Sequence, residues 1–85
     1  MKVEFKKSFQ KAFVKPPYTI QEKFDERFLL FLQNPYHILL HNHSVHPSFE
    51  HGRSINVTAD YRAIYMKDGE RIIFTEIGTH SELYG

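Results

Sequence analysis

The apolar residues change their spacing once along this chain, from a helical to a strand-like repeat, and that change limits the folds open to it. Phe5, Phe9 and Phe13 recur every four residues, with lysines between them. Rings at this spacing share one face of a helix, so residues 6–15 are predicted to form an amphipathic helix. From residue 53 onward the apolar residues alternate with polar ones or form short runs, which is typical of strands.

Proline marks both ends of a second predicted helix. The prolines at 16–17 stop the first helix, because proline has no amide hydrogen and its ring clashes with the preceding turn. Thr19 and Glu22 have the spacing of a capping box, and an apolar stripe follows over residues 20–32. Pro35 then ends the helix. The two helices are predicted to form an antiparallel hairpin.

Residues 36–52 are the least periodic stretch and hold five of the six histidines. A long loop is predicted here, and long loops in small domains are usually functional. His41, His43 and His46 suggest a zinc site. However, the chain has no cysteine and no second pair of ligands at a fitting spacing. Scattered surface histidines are therefore the preferred interpretation, and no metal and no cofactor are predicted.

The last third of the chain is predicted to be a three-stranded meander. The strands are predicted over residues 53–58, 61–66 and 71–77. Asp68-Gly69 is a strong signal for a two-residue hairpin turn between the last two strands. Thr79 and Glu82 have the spacing of a second capping box, which would start a terminal helical turn.

Together these elements predict a single domain, residues 1–85, of the α+β class. A short alternating strand at residues 2–5 precedes the helices. In the predicted fold, this N-terminal strand and the two-helix hairpin pack on an antiparallel sheet that the C-terminal three-stranded meander completes. The other face of the sheet would be partly open to a ligand.

Composition narrows the class of protein. The absence of cysteine excludes disulfides and a cysteine nucleophile and fits a reducing compartment. No apolar run approaches the roughly 20 residues that cross a bilayer, and the N-terminus lacks the apolar stretch of a signal peptide. A cytoplasmic protein without membrane contact is expected. The net charge of +1 hides an uneven distribution, since residues 1–17 carry five lysines and one glutamate. This basic segment could contact a polyanion or could simply be a solvated helix face.

Four residues could carry proton-transfer chemistry: His43, Asp60, His80 and Tyr84. Histidine exchanges protons near neutral pH, which suits a general acid or base. His80 and Tyr84 are four residues apart and would share one face of a helical turn. The alternatives are structural, because Asp60 could be a turn residue, His80 an exposed side chain and Tyr84 a core residue.

Two arginines in or beside adjacent predicted strands could bind a phosphoryl group. The guanidinium groups of Arg53 and Arg62 match phosphate geometry and could stabilise developing negative charge. Arg62 could instead pair with a surface carboxylate. No phosphate-binding loop, nucleophile elbow or zinc-protease helix is present.

The chain resembles the RelE/ParE toxin superfamily, and within it the YafQ-like mRNA interferases. The resemblance lies in the order of the elements, in residues 53–65 and in the closing segment 78–84. It implies a toxin of a type II toxin–antitoxin system. Such a toxin is an endoribonuclease that cleaves mRNA, commonly on the ribosome, and so inhibits translation. The implied partners are mRNA and a cognate antitoxin, which would lay a helix or strand across the basic helices and the sheet.

The resemblance also implies roles for particular positions. By position, His43 matches the loop histidine of the family's site, Asp60 its aspartate, His80 its proton donor and Tyr84 its terminal aromatic residue. The residues implied to contact RNA are Arg53, Arg62, Tyr61 and Asn56. YafQ-like chains usually have a histidine where this chain has Asn56.

The implied chemistry needs no metal and produces a cyclic phosphate. A base, either His43 or Asp60, would take the proton of a ribose 2′-hydroxyl, and His80 would protonate the leaving 5′-oxygen. Two other functions stay open: a ParE-like toxin that poisons DNA gyrase without nuclease activity, and a degenerate module that only binds the antitoxin. The terminal histidine favours RNA cleavage.

Overall fold

The computed structural model describes residues 1–85 and contains five strands and three α-helices. The strands are β1 Lys2–Phe5, β2 His43–Ser44, β3 Gly52–Asn56, β4 Tyr61–Asp68 and β5 Arg71–Thr79. The helices are α1 Lys7–Phe13, α2 Tyr18–Gln33 and α3 His80–Tyr84, and a 3₁₀ turn covers Ile38–Leu40. None of the helices combines the length and the apolar character that a membrane span requires.

All five strands form one sheet in the order β1-β5-β4-β3-β2. β1 runs parallel to β5, and the other neighbours are antiparallel. The predicted α+β fold is confirmed, and the sheet is mixed because the helical hairpin returns the chain so that β1 lies beside the last strand. β4 and β5 are joined by a two-residue hairpin, as predicted, but its central residues are Gly69, at a φ of 62°, and Glu70, because Asp68 still pairs with Arg71.

The stretch predicted as a long loop, residues 36–52, contains the short strand β2, which was not predicted. β2 pairs with β3 through His43 opposite Ser54 and Ser44 opposite Arg53. The prediction of an unbroken loop over residues 36–52 was therefore wrong. A strand of two residues is too short to show an alternating pattern, so the sequence carried no sign of it.

One of the two predicted capping boxes is present. At α3, Thr79 Oγ1 accepts a hydrogen bond from the Glu82 amide at 3.1 Å, and Glu82 Oε1 accepts one from the Thr79 amide at 2.8 Å. α2 instead begins at Tyr18, directly after Pro17, and its start has no side-chain cap. The prediction of a box at Thr19 was wrong.

The helical layer covers one face of the sheet through aromatic rings around Phe74 of β5. The ring centroids of Phe9, Phe24 and Phe31 lie 5.8, 5.7 and 5.5 Å from that of Phe74. Phe74 is fully buried. The opposite face of the sheet carries no such layer, and only α3 and the loop before β3 lie against it. That face is where the candidate site lies.

Candidate active site

The register of the strands places four polar side chains on the face of the sheet away from α1 and α2. His43 lies opposite Ser54, and Asn56 lies opposite Arg62. Paired residues project to the same side, and residues two apart along a strand also share a side. His43, Ser54, Asn56 and Arg62 therefore form one polar surface across β2, β3 and β4.

The helix α3 adds the C-terminal histidine and tyrosine to this surface. The ring centroids of His80 and Tyr84 are 4.8 Å apart. The His80 amide donates to the Asp60 carbonyl at 3.2 Å, which ties the start of α3 to the turn between β3 and β4. A Cβ at Gly78 would lie 3.3 Å from Glu82 Cβ, so a glycine here lets α3 pack closely on β5. The structure thus brings Asp60, His80 and Tyr84 together.

The ring of His43 is held in one orientation by its own segment. Its Nδ1 lies 2.8 Å from the carbonyl oxygen of His41. Because a carbonyl oxygen only accepts hydrogen bonds, Nδ1 carries the hydrogen, and Nε2 of the neutral ring is left as an acceptor. The half-exposed His43 therefore offers a free basic nitrogen on the polar surface.

Arg62 supports the turn that carries Asp60. Its Nη1 donates to the carbonyl oxygens of Thr58 at 2.9 Å and Ala59 at 2.8 Å. Arg62 pairs with no carboxylate, contrary to the structural alternative for this residue. Its Nε and Nη2 make no hydrogen bond within the protein, so two donors are available to an anion.

The floor of the polar surface has unused hydrogen-bonding capacity. Ser54 is fully buried, and its Oγ has no hydrogen bond of good geometry; the buried Oδ1 of Asn56 has no partner either. Leaving a buried polar atom unpaired costs about 1–3 kcal/mol. Burial raises the pKa of the Tyr84 hydroxyl, and the nearby Arg62 and Ser54 lower it by less. Tyr84 is therefore a neutral hydroxyl at neutral pH.

Phe49 lies against the candidate site, although no pattern in the sequence predicts it there. Its ring lies edge-on to that of Tyr84 with centroids 5.7 Å apart. The turn before β3 brings it there, since the Gly52 amide donates to the Phe49 carbonyl at 2.8 Å. The only signal in the sequence was a glycine three residues after an aromatic residue.

Two predicted RNA-contacting residues lie away from this surface. Arg53 is opposite Tyr65 on the helix-covered side of the sheet, and its Nε donates to Asn42 Oδ1 at 2.8 Å. Tyr61 is half-buried and packs against the hydrophobic core. The structure thus corrects the grouping of Arg53 and Tyr61 with Arg62 and Asn56. The physical reason is strand alternation, because residues one apart face opposite sides.

No three His, Asp or Glu side chains come together in a group that could hold a metal ion. The imidazole and carboxylate groups of this surface could transfer protons, and the free donors of Arg62 beside them could bind an anion.

Comparison with known proteins gives matches among solved structures. No protein-family model matches the sequence, and no curated protein is significantly similar to it. YafQ from E. coli strain BL21(DE3) is 24% identical over 98% of this chain and 97% of that one, with a TM-score of 0.81. The E. coli DinJ-YafQ toxin-antitoxin complex gives 23% identity over 98% and 96%, with a TM-score of 0.77.

A more distant match extends the same likeness. The RelBE2 toxin-antitoxin complex from Mycobacterium tuberculosis gives 17% identity over 93% of this chain and 96% of that one, with a TM-score of 0.73. At these levels of sequence identity, structural similarity establishes the fold alone. This chain has the fold of the YafQ- and RelE-type toxins, as the resemblance in its sequence predicted.

Proposed function

We propose that this protein is the toxin of a type II toxin–antitoxin pair and that it is an endoribonuclease which cleaves mRNA. The observation that supports this best is the placement of His80. It sits on a capped helical turn, with its ring 4.8 Å from that of Tyr84 and its amide bonded to the Asp60 carbonyl, beside a polar surface that also carries His43. A histidine held at each side of an anion-binding surface suits cleavage by concerted acid and base.

In the proposed reaction His43 is the base. Its Nε2 takes the proton of a ribose 2′-hydroxyl, and the resulting oxygen attacks the adjacent phosphorus. The bond from phosphorus to the 5′-oxygen breaks, and protonated His80 gives that oxygen a proton. The products are a 2′,3′-cyclic phosphate and a 5′-hydroxyl end. The free donors of Arg62 stabilise the charge on the phosphoryl oxygens.

Asp60 serves this reaction as the second candidate base. Its backbone binds the start of α3, and its exposed carboxylate lies on the same turn that Arg62 supports. Substitution of His43 and of Asp60 separates the two assignments, because the base is the residue whose loss removes the acidic limb of the pH–rate profile, where the rate rises as the base loses its proton.

The proposed partners are an antitoxin and the ribosome. Two of the structures that share this fold are described as toxin-antitoxin complexes. A net charge of +1 favours only modest attraction to free RNA, since nucleic-acid affinity depends largely on the number of phosphates neutralised. The ribosome would then supply the position of the mRNA.

Induced expression in bacteria with primer extension on cellular mRNA tests the proposal. Wild type is expected to stop growth and cut mRNA. His80→Gln is expected to remove both effects and to stay folded, because the His80 side chain makes no hydrogen bond within the protein. His46→Gln is the matched control, since His46 is exposed and its ring makes no hydrogen bond; it should cut mRNA like wild type.

Other outcomes point to the other functions. Undiminished cleavage by His80→Gln would rule out His80 as the acid. Growth arrest with altered plasmid supercoiling and uncut mRNA would favour gyrase poisoning. A harmless wild type that binds an antitoxin would favour a degenerate binding module, for which Asn56, a residue that cannot exchange a proton, is the supporting observation.

A further inference from the structure

Asn42 lies at the centre of a hydrogen-bond network on the side of the sheet opposite the candidate site. Its Oδ1 accepts from Arg53 Nε at 2.8 Å. Its Nδ2 donates to Tyr65 Oη at 2.7 Å and to the Pro35 carbonyl at 2.9 Å. The amide thus joins the segment after α2 to β3 and β4 immediately before β2 begins.

The hydrogen bonds of the network are partly buried. Tyr65 is 2% exposed, and burial raises the pKa of its hydroxyl, so the group stays neutral and hydrogen-bonded. The Arg53 guanidinium lies 5.6 Å from the centroid of the Tyr36 ring, in cation–π contact. Two of the three groups that the Asn42 amide binds, Arg53 and Tyr65, are therefore held by further contacts of their own.

The strand that carries His43 is short, and beyond it the Val45 amide donates to the Gly52 carbonyl at 3.0 Å. β2 is two residues long, lies at the edge of the sheet and pairs only with β3. Edge segments with few backbone bonds open easily. Asn42 directly precedes His43, and successive side chains of an extended segment point to opposite faces. Anchoring the Asn42 amide on one side therefore fixes where His43 points on the other.

We propose that Asn42, held by Arg53 and Tyr65, is a positioning residue that aims His43 Nε2 at the reacting ribose. In this arrangement Arg53 serves as an anchor for Asn42 and does not contact RNA phosphate. The inference rests on the proposed function insofar as His43 is the base.

A double-mutant cycle on mRNA cleavage tests whether Asn42 acts through His43. Wild type, Asn42→Ala, His43→Gln and the double variant are compared with ribosomes programmed with one mRNA. Misplacing a reacting group by about 1 Å costs up to roughly a hundredfold in rate, so Asn42→Ala should lose roughly tenfold to a hundredfold. In the His43→Gln background the same substitution should cause no further loss. Ser44→Ala, also in β2 but outside the network, should leave cleavage unchanged.

Losses that multiply in the double variant would overturn the inference, because Asn42 would then act independently of His43. If Asn42→Ala fails to fold, Tyr65→Phe replaces it in the cycle, since it deletes one hydrogen bond to the Asn42 amide and retains the ring.

A readout without cleavage separates this inference from the proposed function. Nitrogen-15 NMR of the His43 ring should show hydrogen on Nδ1 in wild type and a mixture of tautomers in Asn42→Ala. An unchanged His43 ring spectrum in Asn42→Ala would overturn the positioning role, even if the wild type cuts no RNA. Absence of cleavage by wild type together with the tautomer change would reject the nuclease function and retain Asn42 as the residue that orients the His43 ring.

Discussion

At the scale of single residues, Gly52 determines whether Phe49 can reach Tyr84. A Cβ added at Gly52 would lie 2.7 Å from Phe49 Cβ and 2.9 Å from the Phe49 carbonyl oxygen. Neither atom is at the flexible end of a side chain, so the turn itself would have to open. Opening would weaken the 2.8 Å hydrogen bond from the Gly52 amide to Phe49.

Gly52→Ala is therefore expected to lower the free energy of unfolding by about 1–3 kcal/mol, the usual cost of overpacking, and to separate the rings of Phe49 and Tyr84. Urea denaturation measures the first effect, and ring-to-ring nuclear Overhauser contacts measure the second. Ser48→Ala, an exposed change in the same turn, should stay within about 0.5 kcal/mol of wild type. An unchanged urea midpoint for Gly52→Ala would show that the turn accommodates the methyl group.

Side-chain alternation made part of the site predictable from sequence. Alternation places Ser54 and Asn56 on the face of β3 opposite Ile55. The same alternation places Arg53 on the Ile55 face, away from Asn56. Arg53 was grouped with the site because arginine binds phosphate, and that grouping did not take its face of the strand into account. The position of His43 could not be predicted in this way, because β2 has no period and its register is visible only once β3 is beside it.

At the scale of elements, two identical capping patterns behaved differently for a local reason. The amides of Ile20 and Gln21 both donate to the Pro17 carbonyl, at 2.9 and 3.4 Å, so the first turn of α2 closes on Pro17 and leaves Thr19 inside the helix. No proline precedes Thr79, and β5 delivers it in an extended conformation that suits an N-cap. The Thr-x-x-Glu spacing alone indicates a possible capping box. Whether the box forms depends on which residue accepts the first hydrogen bonds of the helix, because that residue sets where the helix starts.

The α3 box predicts a loss of helix order in acid. The hydrogen bond from the Thr79 backbone, and secondarily that from its side chain, lowers the pKa of Glu82. A carboxyl with a lowered pKa in the folded state stabilises that state fully above the pKa of an unfolded glutamate. This stabilisation is lost as the pH falls through the lowered value. The order of α3, and with it the position of His80, should fall over that acidic range.

The Thr79 amide resonance followed by NMR against pH measures this change at the helix itself. Glu82→Gln keeps a side-chain oxygen that can accept the bond and cannot titrate, so its Thr79 resonance should not shift over that range. A Thr79 shift that persists in Glu82→Gln would assign the acid response to another group. The hydrogen bond from Arg71 lowers the pKa of Glu4 as well, which is why a probe local to α3 is needed.

At the scale of the whole molecule, core and site share one strand. Phe74 lies in the middle of β5, and α3 follows directly at the end of the same strand. Its ring also stacks on Phe5 of β1 with centroids 5.5 Å apart, so it joins the parallel edge of the sheet to both helices. Phenylalanines at helical spacing made the helices predictable. The packing of rings from β1, α1 and α2 against Phe74 also depends on the parallel pairing of β1 with β5, which no local pattern in the sequence specifies.

Phe74→Ala should consequently remove a large part of the stability of the domain. Emptying a buried phenylalanine site costs about 3–5 kcal/mol, and a domain of this length has roughly 4–13 kcal/mol in total. Phe74→Leu should lose less, because it fills more of the cavity. Leu29→Ala is the matched control, since Leu29 is 62% exposed and should change stability by no more than about 0.5 kcal/mol.

Phe74 lies in β5, the strand that leads to His80, but its ring packs on the helices, on the face of the sheet away from the candidate site. Any loss of the proposed mRNA cleavage in these variants should therefore follow the folded fraction measured by urea denaturation at the assay temperature. Cleavage per folded molecule in Phe74→Leu should equal that of wild type. A lower value would mean that packing around Phe74 also sets the position of α3, so that the hydrophobic core affects the placement of His80 as well as the stability of the domain.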